Sequence, residues 1–142
     1  MYEAFFQLKN RPFPATLSTE FYFPAAAIDE AYCTASRCIE RAEGPCLVIG
    51  PAGTGKSLLC HLLAERFDEA FHVAMLSCAQ LCTRRALLQN LLFELNLPYR
   101  GLEEGELRLS LIDFLAPERS SRDGMLLLVD EEIGRASCRE RV

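Results

Sequence analysis

Apolar positions recur at two spacings along the chain and divide it into alternating elements. Over residues 25–43, Ile28, Tyr32, Ala35 and Ile39 share one helical face, and Gly44 then Pro45 are expected to end that helix. Cys46-Leu47-Val48-Ile49 is a short unbroken apolar run and reads as a strand buried on both faces. Lys56 to about Phe67 predicts a second helix, dense in leucine (Leu58, Leu59, Leu62, Leu63), and Phe71 to Leu76 a second strand. Thr83 to Leu95 stacks Leu87, Leu91 and Leu95 beside Leu88 and Leu92 as an amphipathic helix. Glu103 to about Leu115 is another, striped by Leu107, Leu111 and Leu115, with acids at the end where the helix dipole favours them. Ser120 to Gly124 reads as a turn into a third buried strand, Met125 to Val129. Strands alternating with helices predict an α/β fold: a parallel sheet covered on both sides, hence three layers.

Two stretches stand outside the alternation. Residues 1–24 gather Tyr2, Phe5, Phe6, Phe13, Phe21, Tyr22 and Phe23 with Pro12, Pro14 and Pro24. Prolines at that density forbid a long helix, so this leader is expected to be a short helical turn and extended chain packed on the domain. Residues 132–142, Glu132 to Val142, have neither strand alternation nor a helical stripe. They resemble the translation of a sequencing-adapter oligonucleotide and are set aside from the fold as a non-native tail.

Composition narrows the picture. With 142 residues, half of them apolar, the chain is one domain or part of one, and disorder is excluded as its main state. No apolar run approaches the ~18–20 residues of a membrane span. The N-terminus lacks the basic and apolar regions of a secretory signal, so a cytoplasmic location is expected. A net charge of −5 argues against a generally basic, nucleic-acid-coated surface while leaving room for a local patch. Seven cysteines in such a chain predict reduced, mostly buried thiols. Cys33/Cys38 and Cys78/Cys82 lack CxxC spacing, and no histidine pair completes a zinc site.

The strongest chemical signal is Gly50-Pro51-Ala52-Gly53-Thr54-Gly55-Lys56-Ser57, which fills every fixed position of G-x-x-x-x-G-K-[ST] between a strand and a helix. Its glycines admit backbone angles closed to other residues and let phosphate oxygens approach the N–H groups. The helix start aims its unpaired N–H groups and positive end at the same phosphates. Residues 50–57 with Leu58 are therefore the candidate nucleotide-binding segment. Lys56 would supply a point charge to the β/γ-phosphates, and Ser57 would ligate Mg²⁺.

Roughly seventy residues further on, Leu126-Leu127-Leu128-Val129-Asp130-Glu131 is an apolar strand ending in two acids. At the carboxyl end of such a strand, Asp130 would hold Mg²⁺, through water as that ion prefers. Glu131 would orient and polarise the attacking water. His61 and His72 read as packing or surface residues. Arg84 and Arg85 read as a solvated helix turn that could also meet a partner subunit or nucleic acid.

This pair of motifs, with an acid directly after the Asp, resembles the AAA+ (ASCE) branch of the P-loop NTPases. Tyr2, Phe5-Phe6, Leu8, Pro12-Phe13 and Phe21-Tyr22-Phe23 before a helix and then the P-loop resemble the ExeA/GspA family of general-secretion ATPases. Gln7 and Ile28 depart from that pattern, standing where it has Gly and His. The resemblance implies an ATP- and Mg²⁺-dependent ATPase at the cytoplasmic face of the inner membrane, homo-oligomeric and serving a membrane secretion partner. A nucleotide-dependent DNA-binding protein of the transposition-helper or origin-recognition kind is the alternative. It also implies a sheet ordered 5-1-4-3-2, of which residues 25–131 would supply only the N-terminal portion. Cys46 to Ile49 would then lack both sheet neighbours. Either a gap or a forced pairing with Met125 to Val129 is expected, and a chain without sensor, arginine finger and lid is expected to be inactive.

Overall fold

Pro24 fixes an extended entry, and the alanine-rich run behind it starts α1 (Ala26–Glu40) in the computed structural model, which describes residues 5–8, 17–77, 83–117 and 121–130. These fall into two compact units that divide after Leu62. The first holds a 3₁₀ turn (Thr19–Phe21), α1, the glycine loop and the first half of α2 (Lys56–Phe67).

Helix α1 ends earlier than Gly44-Pro45 would have it. The chain reverses at Ala42 (φ +50°), where Ala42 N–H donates to Ile39 O at 3.1 Å and Glu43 N–H to Cys38 O at 3.0 Å. That is the left-handed closure usually given to glycine; here Gly44 (φ +109°) comes only after it. Along the expected stripe, Ala35 is buried while Ile28, Tyr32 and Ile39 are half-buried.

The strand expected at Cys46 to Ile49 does not form. Leu47 and Ile49 are 76% and 84% exposed, and among the described residues no strand pairs with this run. A strand exists only through its ladder, so an apolar run without a neighbour stays extended chain. Among the described residues, the forced pairing with Met125 to Val129 is not made.

The leader departs from expectation as well. Phe5, Phe6 and Phe23 are exposed instead of packed, and the Phe5 and Phe6 rings meet edge to face at 4.9 Å. Nor are the thiols mostly buried among the described residues: Cys33 and Cys46 are exposed and Cys38 and Cys60 half-buried, none of the four in a disulfide. Cys33 lies one place off the α1 stripe, and Cys46 lies in the unpaired run. Tyr2, Pro12, Phe13, Pro14, Cys78, Cys82, Ser120 and the tail 132–142 lie outside the described residues.

The second unit follows the pattern closely. β1 (His72–Ser77) and β2 (Met125–Asp130) pair in parallel, His72 opposite Met125 and Ser77 opposite Asp130. Parallel neighbours need a crossover, and α3 (Arg84–Glu94) and α4 (Glu104–Leu115) supply it. Thr83 caps α3, its hydroxyl accepting from Ala86 N–H at 3.1 Å. Asn96 (φ +56°) ends it in the left-handed turn that asparagine tolerates. Glu103 and Glu106 form a reciprocal capping box at the start of α4. Leu91 packs with Ala74 and Leu76 of β1, while Leu92 and Leu107 are fully buried. The strand starts are tied together by His72 N–H on Gly124 O (2.8 Å), Asp123 N–H on Ala70 O (2.9 Å) and Arg122 on Phe71 O (2.8 Å). Among the described residues no helix is long and apolar enough to cross a membrane.

Two stability predictions follow from these details. Ala42→Gly removes the side chain from a left-handed position and should raise the free energy of unfolding by about 1 kcal/mol in urea titration. An unchanged or lower value would refute the assigned closure. The His72 ring packs tilted against Phe114, centroids 4.5 Å apart, and burial, with Arg122 nearby, holds its pKa below the usual 6.5. The unfolded chain therefore takes up a proton before the folded one does, so stability is full above pH 6.5 and falls as the pH drops through it. His72→Gln should flatten that fall in denaturation curves taken between about pH 7 and 5; a slope identical to wild type would contradict it.

Candidate functional site

The glycine loop is held mostly by its own residues. Thr54 Oγ1 donates to Pro51 O at 2.9 Å, and a β-carbon at position 50 would come within 3.1 Å of that hydroxyl. Glycine at 50 is what lets Thr54 fold over the loop. Gly53 (φ +77°) and Gly55 (φ +89°) then swing the chain into α2 through angles that side chains resist. Lys56 reaches back across the loop, its ammonium donating to Gly50 O at 2.9 Å and Pro51 O at 2.7 Å. Leu59 N–H donates to Gly55 O at 2.9 Å and opens the helical ladder. The N–H groups of Lys56, Ser57 and Leu58 precede that ladder, so they have no helical acceptor and lie at the positive end of α2. Lys56, Ser57 and Leu58 are half-buried. Residues 50–58 thus come together as one internally fastened turn at the start of α2.

A cavity of about 240 Å³ adjoins this turn within the same unit. Ala27, Ile28 and Ala31 of α1 wall one side, and Val48, Ile49 and Leu59 add further apolar surface. Gly50, Pro51, Thr54 and Lys56 form its loop side. Sequence reasoning missed this wall. Ile28 was assigned to a core stripe, and nothing about Ala27 or Ala31 marks them apart from helix-forming alanines. The usable signal was the small–small spacing of Ala27 and Ala31 beside Ile28, which leaves space along one helix edge.

Asp130 is the last residue of β2, half-buried, and belongs to the second unit. Glu131 lies outside the described residues. The remaining candidates have structural occupations. His61 is half-buried on α2, and His72 packs on Phe114. Arg84 is exposed, as expected of a solvated turn. Arg85 is exposed too but donates to Leu102 O at 3.0 Å, tying the start of α3 to the segment before α4. Among the described residues no group of three His, Cys, Asp or Glu side chains is placed to hold a metal ion.

A parallel sheet with crossover helices, and a glycine loop opening a helix, fit an α/β fold of the P-loop NTPase kind. A family model described as AAA domain matches residues 39–132, well over half of the chain, and the chain belongs to that family. The match takes in the glycine loop and the strand that ends at Asp130. No curated protein and no solved structure matches the chain. Members of the AAA domain family are in general nucleotide-binding ATPases.

Proposed function

We propose that this protein binds ATP with Mg²⁺ through residues 50–58 and belongs to an ATP-hydrolysing machine. The observation that carries the reading is the loop itself. The N–H groups at the start of α2 have no helical acceptor, and the loop's lysine grips the Gly50 and Pro51 carbonyls at 2.9 and 2.7 Å. Lys56 is therefore held at the loop, where it supplies a positive point charge to the β/γ-phosphates. Backbone N–H groups of Gly53 to Leu58 cradle the phosphate oxygens, and the apolar cavity beside them takes the nucleoside end.

The residues present suit Mg²⁺. The Ser57 hydroxyl and the Asp130 carboxylate would each be an oxygen donor of the kind that ion takes, with water completing its shell. When bound, it neutralises charge on the phosphate oxygens. Glu131 orients and polarises the attacking water, holding the proton that the water gives up. The aromatic leader and the order of motifs support a finer reading as a general-secretion subunit of the ExeA/GspA type. Such a subunit would assemble with copies of itself at the cytoplasmic face of the inner membrane.

Calorimetric titration with ATP tests the reading. Lys56→Ala should weaken binding at least about tenfold, or about 1.4 kcal/mol. Ser57→Ala should remove the part of the affinity that depends on Mg²⁺ and leave the remainder. Equal affinity for wild type and Lys56→Ala would end the phosphate-loop reading. In a form of the protein with measurable turnover, Glu131→Gln should still bind ATP and lose about tenfold or more of its hydrolysis rate. Retention of most turnover would remove Glu131 from the water-activating role.

A further inference from the structure

Of the three glycines in the phosphate loop, Gly55 is the one whose missing β-carbon would meet a side chain from outside the loop. A β-carbon at position 55 would lie 2.7 Å from Ile28 Cδ1, so the end of the Ile28 side chain occupies the space that a residue other than glycine would need. The rest of the turn is fastened internally, Thr54 to Pro51 O and Lys56 to Gly50 O and Pro51 O. Gly53, by contrast, has open space where a β-carbon would go.

Gly55 also sits where orientation matters most. It has φ +89°, and its carbonyl accepts the first ladder bond of α2 from Leu59 at 2.9 Å. Its backbone angles therefore set the direction of the unpaired N–H groups of Lys56, Ser57 and Leu58. Glycine is the residue least able to hold such angles by itself. Isoleucine in a helix is the reverse, a β-branched side chain confined mostly to one χ1 rotamer, and Ile28 stands in the first turn of α1.

We propose that Ile28 is a positioning residue for phosphate binding: its δ-methyl braces Gly55 and so fixes the stance of the α2 N-terminus. The proposal rests on the nucleotide-binding reading and adds to it a residue on α1 that need touch no phosphate.

The test compares magnesium tripolyphosphate, which has neither base nor ribose, with Mg-ATP on the whole chain. Ile28→Val deletes only the δ-methyl from a half-buried side chain and should weaken tripolyphosphate by about threefold or more and Mg-ATP by at least as much, with the unfolding midpoint little changed. Gly55→Ala should cost less affinity in the Ile28→Val background than in wild type, because the clash partner has gone. Loss confined to ATP would make Ile28 a nucleoside contact and overturn the bracing role. Tripolyphosphate affinity equal to wild type in Ile28→Val, or strictly additive losses in the double variant, would overturn it as well. If wild type binds neither ligand, it is the nucleotide-binding reading that fails, an outcome separable from the others.

Discussion

Between the carbonyl of Gly50 and the first ladder bond of α2 the chain must reverse direction while leaving its N–H groups unpaired. Positive φ at Gly53 and Gly55 makes this geometrically possible, and the Lys56 ammonium on two loop carbonyls holds the result. The two devices are complementary. Glycine removes the steric objection to the turn but adds conformational freedom, and the charge-assisted contacts of Lys56 take much of that freedom away. If the proposed anion binds here, less binding energy need go into ordering a loop already held in this way.

Much of this was legible in the residues because local rules decided it. The spacing of Leu87, Leu91 and Leu95, the acids of Glu103 to Glu106 and the glycine pattern of the loop each specify a conformation through neighbours a few residues away. α3, α4 and the loop appear where those signals lie. The parallel pairing of β1 with β2 was legible too, since helices between two apolar strands leave little else.

What was not legible depends on contacts beyond the local pattern. Cys46 to Ile49 has the composition of a buried strand, but a strand is a property of a pair, and no described neighbour completes it. Ala42 takes the left-handed turn ahead of Gly44 because the α1 ladder closes through the Glu43 and Ala42 amides, and composition gives no warning of where a ladder closes. Ile28 looked like a core position; its place against Gly55 depends on how α1 lies beside the loop. Asp130 is the last residue of β2, one place beyond the expected end at Val129, and Glu131 follows it in the sequence.

The central claim is that this AAA-domain chain receives a nucleoside triphosphate by its phosphates at residues 50–58. Amide hydrogen exchange, resolved by segment with Mg-ATP or with AMP, measures this most directly. Mg-ATP should slow exchange across 50–58, and AMP at equal concentration should leave that segment unchanged, since only the longer phosphate chain would fill the cradle. Exchange across 50–58 that is indifferent to Mg-ATP, or slowed equally by AMP, would contradict it.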